Sequence, residues 1–342
     1  MNEHDKHPEP PIPDELIAQL RRFAYQAEVQ GVLTAEQLAI IYNHRWFKLF
    51  VPASLGGLEL SLPEGVLLEE ELARIDGSLG WTVTLCAGAN LFVGYMDRAV
   101  GETIFADAEV CLGGSGQVTG KAVTVGNRYQ VSGKWRYATG APHLTHFTAN
   151  CMTEQGVRSF FFPKSDVRIV NDWNAFGLKA TASRSFEVDT VSADGSQAFL
   201  IAPEAATWDH PIYRYPFLQF AEATLAANTL GMARHFLECA GGLGASELRK
   251  KVQDAEWRLS EVRKLFYDAL GASWNDLLRA GGLSPATLEN VSELSRTLVD
   301  VARKEVVALY PHVGMAGADA SSEINRVWRD IFTASQHSLL RV

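Results

Sequence analysis

The stretch that decides the fold class is VTVGNRYQVSGKWRYATGAPH, which spans Val123 to His143. Apolar and polar residues alternate in Val123–Val125 and in Tyr129–Val131, and Gly126-Asn127 separates the two runs. This alternation on both sides of a Gly-Asn pair predicts two β-strands joined by a tight turn. Similar short runs continue downstream, at Phe147–Ala149, Ser159–Phe162, Val167–Val170 and Phe186–Val188. The pattern predicts an antiparallel barrel or sandwich rather than a parallel α/β sheet.

Helical periodicity flanks this β region on both sides. Before it, Thr34-Ala-Glu-Gln37 has the pattern of a capping box, and the almost entirely apolar run from Trp81 to Phe92 predicts a buried helix. After it, short Gly-containing connections favour an antiparallel bundle of four helices, at Tyr215–Ala240, Ser246–Arg279, Ser284–Tyr310 and Ser321–Leu340. The predicted fold is therefore α+β and multidomain. It has an N-terminal helical domain (1–106), a β-barrel domain (107–205) and a C-terminal four-helix bundle (206–342).

The bulk composition limits the classes of function. The 342 residues include 31 Lys and Arg against 40 Asp and Glu, and the net charge of −9 argues against a nucleic-acid phosphate binder. The four cysteines form no CxxC pair, so neither a zinc site nor a disulfide framework is expected. Met1–Pro13 lacks the apolar core of a signal peptide, and the apolar stretch Phe217–Leu243 carries charged residues that argue against a membrane span. We expect a cytoplasmic protein without membrane partners.

Two motifs that suggest ligands have the wrong context. Gly113–Gly120 contains closely spaced glycines, but a dinucleotide fingerprint needs a helix after it, and strands follow here. A loop at the barrel edge is the expectation, without a nicotinamide site. His143 and His146 lie three apart in an extended segment, so they should point to opposite faces and should not share a metal ion.

Two other stretches leave alternatives open. The small residues Ala138, Thr139 and Gly140 would let a flat ligand approach the backbone, although a plain hairpin with a core tryptophan fits equally well. In the last predicted helix, Asp330 and His337 share one face. That spacing also describes a surface ion pair followed by a histidine that the helix dipole favours.

Six stretches resemble motifs of the acyl-CoA dehydrogenase superfamily, in the same order and over nearly the whole chain. They are Phe50–Glu59, Glu70–Trp81, Ser132–His143, Gly177–Ser183, Gly231–Arg234 and Arg326–His337. The tryptophan that ends the second stretch is typical of the flavin monooxygenase branch. The third resembles that branch's sG.W.faSG..Ha pattern, where true dehydrogenases have K.WITNg. The succession of helical domain, β-domain and four-helix bundle is also that of the family.

The resemblance implies that His337 is the catalytic residue. Many true dehydrogenases carry a glutamate there, in a YEGT motif, which removes the α-proton of a thioester. This sequence has Gln336-His337-Ser338 instead. A histidine is what the monooxygenase branch carries, where it helps to stabilise a peroxide adduct of the flavin, and imidazole is suited to donating a proton near neutral pH. Glu256 and Glu261 lie near the family's other position for the base, without its surrounding pattern.

The same resemblance implies a flavin, FAD or alternatively FMN, between the β-domain and the bundle. The expected flavin contacts are Trp135, Ala138, Thr139 and Gly140 along the ring, with Thr181 and Ser183 toward the flavin or its phosphate. Trp81 and His143 are expected to contact the substrate. Since no nicotinamide site is visible, a separate flavin reductase would supply reduced flavin. The family's usual assembly implies a homotetramer.

Three functions follow as hypotheses. The preferred one is a reduced-flavin monooxygenase that acts on a small apolar or aromatic substrate. The second is an acyl-CoA dehydrogenase that acts on the CH–CH bond of a thioester with a relocated base. The third is a non-catalytic relative that serves as a binding protein.

Overall fold

The N-terminal part of the chain is helical in the computed structural model, which describes residues 12–244 and 246–340. Its α-helices are α1 (Asp14–Gln30), α2 (Ala35–Asn43), α3 (Leu62–Ile75), α4 (Gly77–Asn90) and α5 (Arg98–Phe105). The predicted capping box at Thr34 is present, since its hydroxyl accepts the Gln37 N–H and the Gln37 side chain returns to the Thr34 N–H. The apolar run that starts at Trp81 is buried, as α4 and a following 3₁₀ turn.

One seven-stranded sheet forms the middle of the chain. Its strands are β1 (Leu112–Val125), β2 (Arg128–Ala138), β3 (His146–Thr153), β4 (Gly156–Pro163), β5 (Arg168–Val170), β6 (Arg184–Asp194) and β7 (Ala198–Phe199). Their order is β5-β6-β2-β1-β3-β4-β7. The β1–β3 pair is parallel and the other pairs are antiparallel. Among the described residues β5 and β7 are edge strands, so the sheet is open and the predicted closed barrel is not confirmed.

The glycine-containing segment Gly113–Gly120 lies within β1, so the prediction of a loop there was wrong. Its glycines allow close packing against the neighbouring strand and core. A Cβ on Gly114 would lie 1.9 Å from the Thr148 carbonyl oxygen, and one on Gly120 would lie 2.1 Å from the Trp135 ring. Tertiary packing therefore overrides the low strand propensity of glycine at these positions.

The C-terminal part returns to helix. It contains α6 (Phe217–Gly242), α7 (Ser246–Ala280), α8 (Pro285–Leu309), the short α9 (Met315–Ala318) and α10 (Glu323–Ala334). Helix α6 packs against α3, α7, α8 and α10. The predicted start of α8 is confirmed, because the Ser284 hydroxyl caps the Thr287 N–H and Pro285 is the first helical residue. Within the described residues, no helix combines the length and the apolar character that a membrane crossing needs.

The last helix ends earlier than predicted. It stops at Ala334 instead of Leu340, and a 3₁₀ turn at Ser338–Leu340 follows. The Ser335 hydroxyl donates to the Phe332 carbonyl, a local bond that competes with the helical pattern. The His337 N–H donates to the Ala334 carbonyl, three residues back. His337 therefore lies in a turn beyond the helix, where it does not share a helix face with Asp330.

A buried ionic network fixes α6 on α3 and α7. Gly231 allows the close approach, since a Cβ there would lie 2.1 Å from the Glu70 carbonyl oxygen. The buried Glu70 carboxylate accepts from Arg234 at 2.5 Å, from Arg263 at 2.9 Å and from the Tyr267 hydroxyl at 2.6 Å. Several strong donors offset the desolvation of this carboxylate. Helix α6 also packs against α4, and these two helices form most of the helical wall of the candidate site.

Candidate active site

A cavity lies between α4, α6 and the strands β1, β3 and β4, and the turn after α10 closes one side. Its volume is about 190 Å³, which is smaller than the roughly 300–1,000 Å³ of typical small-molecule sites. Aromatic and aliphatic side chains form its helical wall, including Leu85, Phe92, Phe217, Phe220 and Leu225. Among the described residues that line it, none is Asp, Glu, Lys or Arg.

His337 lines this cavity and is half-buried. Its Nδ1 accepts the Leu339 N–H at 3.4 Å, inside the turn that follows α10. This bond favours the neutral tautomer with the proton on Nε2, so the ring can act as a donor from that atom. The Trp81 ring packs on His337 edge-on, with 6.1 Å between centroids and 63° between planes.

Trp81 itself is outside the cavity wall. It is buried with 7% exposure, and α4 turns Thr84, Leu85 and Gly88 toward the cavity one turn later. Its ring contacts His337 in this structure, and the expected contact between Trp81 and substrate stays a prediction. This placement puts the indole ring against one edge of the imidazole ring.

Three buried hydroxyl groups form a chain behind the cavity wall. Thr139 Oγ1 lies 2.8 Å from Ser183 Oγ, and Ser183 Oγ lies 2.8 Å from Thr181 Oγ1. Thr181 Oγ1 donates to the Leu178 carbonyl oxygen at 2.7 Å. All three hydroxyl residues are buried, and Thr139 is the one that lines the cavity.

Counting protons fixes the direction of this chain. Each hydroxyl has one proton, and Thr181 uses its proton on the Leu178 carbonyl. Only Ser183 can then donate to Thr181, and only Thr139 can donate to Ser183. No other assignment of the three hydroxyl protons allows all three hydrogen bonds to form together. The Thr139 hydroxyl consequently keeps lone pairs but no free proton, so it would accept, and not donate, a hydrogen bond with a ligand N–H.

Two other predicted flavin contacts, Ala138 and Gly140, are the chain neighbours of Thr139. Ala138 is fully buried and pairs with Arg184, and Gly140 (φ +74°) donates its N–H to the Thr181 carbonyl at 2.8 Å. Neither residue lines the cavity. They hold the Thr139 backbone against the segment that carries Thr181, so their position supports the site indirectly.

Trp135 is a core residue of the sheet. It is fully buried, stacks on Phe186 at 5.1 Å and donates its indole N–H to the Asn150 carbonyl at 3.0 Å. The cavity wall does not include it. The position of Trp135 therefore does not favour direct contact with a flavin ring. Trp135 fixes the backbone of Asn150, which does line the cavity.

His143 lies beside the cavity rather than in its wall. Burial, and then the nearby cations Lys164 and Arg184, lower the pKa of His143 to about 4, so the ring is neutral at physiological pH. Among the described residues, its buried Nε2 has no hydrogen-bond partner. The expected substrate contact is not supported by this position. His146 hydrogen-bonds with the Thr145 hydroxyl at 3.1 Å and packs near the Phe161 ring.

Arg329 and Asp330 bind different partners, as expected for adjacent helix residues. Arg329 pairs with Glu28 of α1 at 2.6 Å and donates to the Phe176 carbonyl at 3.0 Å. Asp330 accepts the Leu178 N–H at 2.5 Å. Burial, with a smaller contribution from Asp76, raises the pKa of Asp330 to about 8. The pair thus ties α10 to α1 and to the loop whose Leu178 carbonyl ends the hydroxyl chain.

Several residues that line the cavity were not predicted from the sequence. They are Phe217, Phe220 and Thr224 on α6 and Thr148, Asn150 and Ser159 on the sheet. The strands did contain a signal, because Thr148 and Asn150 alternate with the buried Phe147 and Ala149. Strand pairing then brings Ser159 opposite Asn150. Alternation alone could not tell which face of the sheet would meet α6.

One group of side chains away from this cavity has the spacing of metal ligands among the described residues. His235, Cys239 and Glu323 offer atoms within 4.8 Å of one another. The His235 ring is hydrogen-bonded to Glu323 at 3.1 Å, and Arg326 lies 3.7 Å from the same carboxylate. Glu323 thus already has a cation and a donor, which describes an ion-paired helix junction rather than a metal centre.

Comparison with known proteins shows what this chain is similar to. Residues 244–342 match the family model described as "Acyl-CoA dehydrogenase, C-terminal domain". The indole-3-acetate monooxygenase of Pseudomonas putida is 26% identical, over 87% of this chain and 81% of that protein. The oxygenase component of the FADH₂-dependent resorcinol hydroxylase of Rhizobium sp. (strain MTP-10005) is 24% identical, over 93% of this chain and 87% of that protein.

The fold also has close counterparts among solved structures. The HsaA monooxygenase from M. tuberculosis superimposes with a TM-score of 0.89 and 20% identity, over 96% of this chain and 92% of that chain. At this identity the likeness supports the fold alone. Together with the sequence relatives, it confirms the resemblance read from the motifs, to the acyl-CoA dehydrogenase superfamily and its flavin-dependent monooxygenases.

Proposed function

We propose that this chain, which belongs to the acyl-CoA dehydrogenase superfamily, is a reduced-flavin monooxygenase that acts on a small aromatic substrate. The observation that carries the proposal is the cavity, which brings His337 and the accepting Thr139 hydroxyl together against an aromatic wall. A proton donor, an acceptor for a ring N–H and a surface for a flat substrate are the groups that such chemistry requires.

The residues present fit a reduced flavin, which would supply the activation of molecular oxygen. The Thr139 hydroxyl keeps lone pairs but no free proton, and the N5–H of reduced flavin is a donor that matches them. Gly116 lines the same cavity, and a Cβ there would meet no atom within 4 Å, which leaves room for the edge of a flat ring. We propose FAD as the natural cofactor, with FMN as the alternative.

The phosphate of the flavin would meet basic residues beside the hydroxyl chain. Thr181 and Ser183 already use their hydroxyl protons within the chain, so a direct phosphate contact with them would break it. Arg184 follows Ser183, and with Lys179 it lines an open depression next to α1. We therefore assign phosphate binding to Arg184 and Lys179 and keep the two hydroxyl residues as support for Thr139.

His337 would hold the proton that the reaction moves. The Leu339 N–H occupies Nδ1, which leaves the proton on Nε2 as the one to donate. Trp81 limits the orientations of the ring. A positioned general acid of this kind contributes typically about 10²–10⁴-fold to a rate. Removing the ring should therefore impair product formation far more than flavin binding.

The dehydrogenase alternative needs a carboxylate base beside the flavin. The described residues that line the cavity include none. Glu256 and Glu261 are exposed on α7 and lie outside the cavity wall. We therefore place the dehydrogenase behind the monooxygenase, and we keep the non-catalytic binding protein as the third candidate.

The wider organisation completes the proposal. Three domains (1–106, 107–205 and 206–342) would carry the flavin between a barrel-like β-domain and a four-helix bundle, in a cytoplasmic homotetramer. A separate reductase would deliver the reduced flavin, which agrees with the description of one relative as an oxygenase component. In this arrangement the chain itself needs no nicotinamide site.

The test uses the purified full chain with FAD and FMN in both redox states. We expect reduced FAD to bind more tightly than oxidised FAD, and oxygen consumption to depend on reduced flavin with hydroxylated product from an aromatic substrate. Anaerobic mixing of the oxidised holoenzyme with acyl-CoA thioesters of several chain lengths should leave the flavin absorbance unchanged. Bleaching by a thioester would favour the dehydrogenase, and failure to bind either flavin state would favour the binding protein.

A further inference from the structure

The chemistry of the cavity wall restricts which aromatic substrate fits. Building on the proposed function, we infer that the substrate is an uncharged aromatic compound that carries a hydrogen-bonding group, such as a hydroxyl, carbonyl or amide, and that aromatic carboxylates are excluded.

A carboxylate would find no counter-ion among the described residues of the cavity wall. The described lining contains neither Lys nor Arg, and its one titratable side chain is His337. A carboxylate drawn into such a cavity loses its hydration without gaining a partner, which is strongly unfavourable. A neutral ring does not carry this penalty.

The cavity wall does offer a neutral polar pair. Asn150 and Ser159 face each other across β3 and β4, and the Ser159 hydroxyl donates to Asn150 Oδ1 at 2.7 Å. Asn150 Nδ2 donates to the Gly116 carbonyl at 3.1 Å. The pair keeps a second amide proton and lone pairs on both oxygens. A neutral donor and neutral acceptors therefore face the cavity, and they match a hydroxyl, a carbonyl or an amide.

An aromatic wall lies opposite this polar pair. Phe217 lies 5.2 Å from Phe92 and 5.8 Å from Phe220, measured between ring centroids. These rings line the cavity from the 3₁₀ turn after α4 and from α6, opposite the strands that carry Asn150 and Ser159. Such spacings suit tilted and offset contacts with a further ring. A flat substrate is thus held between rings on one side and neutral polar groups on the other.

The experiment compares ligands that differ only in charge. The pairs are indole-3-acetamide with indole-3-acetate, and 4-hydroxyphenylacetamide with 4-hydroxyphenylacetate, each titrated calorimetrically into the FAD-loaded protein. We expect the amide of each pair to bind at least about 100-fold more tightly. Equal affinity, tighter binding of the acid or no binding of either amide would overturn the inference.

Two variants sharpen the test. Asn150→Leu removes the wall amide and should weaken both amides about tenfold while the affinity for FAD stays the same, whereas unchanged amide affinity would contradict the assignment of the polar wall. Arg341 lies outside the described residues, so Arg341→Gln is measured beside the wild type. We expect the same preference for amides in this variant. Acid binding by the wild type that disappears in Arg341→Gln would show a counter-ion and overturn the inference.

The outcome is separable from that of the proposed function. Flavin binding and oxygen consumption are measured in the same preparations, and the ligand pairs are also titrated into the flavin-free protein. Reduced-flavin turnover with a preference for acids would refute the substrate class and leave the monooxygenase standing. If the protein does not bind flavin but still prefers the amides, the proposed monooxygenase function is wrong and the preference of the cavity for neutral ligands is confirmed.

Discussion

Replacing Ser183 with alanine tests the direction of the hydroxyl chain. In the wild type, Thr139 must donate to Ser183, because Ser183 donates to Thr181 and Thr181 to the Leu178 carbonyl. Thr139 can therefore accept from N5–H of reduced flavin, but it can donate to N5 of oxidised flavin only if one bond of the chain breaks. The Ser183→Ala substitution frees the Thr139 proton. The preference for reduced flavin should then shrink.

The expected size follows from one neutral hydrogen bond, about 0.5–1.5 kcal/mol. The ratio of dissociation constants for oxidised and reduced FAD should fall about 2- to 13-fold. For the two-electron couple, the same energy lowers the midpoint potential of the bound flavin by roughly 10–30 mV. Spectroelectrochemical titration of the holoenzyme measures this shift, and anaerobic titrations with oxidised and reduced FAD give the ratio independently.

Two companion variants separate this effect from loss of structure. Thr181→Val removes the acceptor of the Ser183 proton, so Ser183 can turn to Thr139 and the potential should fall as it does in Ser183→Ala. Ser183→Thr keeps the hydroxyl and should stay near the wild type. If both dissociation constants rise by the same factor in Ser183→Ala, with the potential unchanged, the chain is merely structural and the reasoning about its direction is wrong.

Four further results are expected. His337→Asn should lower the rate of hydroxylation about 10²–10⁴-fold and divert oxygen to hydrogen peroxide, while the affinity for FAD stays unchanged. If the variant forms as much product per oxygen consumed as the wild type, His337 is not the proton donor. Arg184→Gln should weaken FAD and FMN but leave riboflavin unaffected, since riboflavin has no phosphate; equal weakening of all three in fluorescence titrations would contradict the phosphate assignment. Burial raises the pKa of Asp330 to about 8 from 3.8, so stability is lost as pH rises between these values. Asp330→Asn should therefore have a higher free energy of unfolding than the wild type, and in urea titrations this difference should grow between pH 5 and 8 while flavin turnover is retained. A difference that does not change with pH, or a selective loss of turnover, would point to another role. Ala182→Gly should raise the unfolding free energy by about 0.5–1 kcal/mol, because Ala182 has φ +44°, and a destabilised variant would show that this backbone is not strained.

Much of the fold could be predicted because its signals are local. The capping box at Thr34 and the Ser284-Pro285 start of α8 depend on residues within one turn, and both formed as expected. The failures depend on distant contacts. Gly113–Gly120 is a strand because Thr148 and Trp135 pack against its bare backbone, a relation that the local sequence does not contain.

The candidate site shows the same division between local signals and distant contacts. His337 and Thr139 were identified through motif resemblance, and both line the cavity. Trp135 and His143 belong to the same matched stretch, yet they are elsewhere, because strand alternation turns Trp135 into the sheet core. A motif match identifies a segment of chain, whereas the direction of each side chain depends on the neighbouring strands. Neither pairing nor packing against α6 could be read from one sequence.

The polarity of the hydroxyl chain ultimately depends on backbone strain. Leu178 (φ +52°) and Ala182 (φ +44°) both adopt left-handed conformations without being glycine, and such residues cost of order 1–3 kcal/mol each unless their surroundings hold them. The Leu178 N–H is held by the buried Asp330 and its carbonyl by Thr181, while the Ala182 N–H donates to the Lys179 carbonyl. Because α10 supplies Asp330, the helix next to His337 also fixes the carbonyl that ends the Thr139 chain. The carboxyl group of Asp330 therefore holds the proton-accepting side of the cavity from the same helix that leads into the turn of His337.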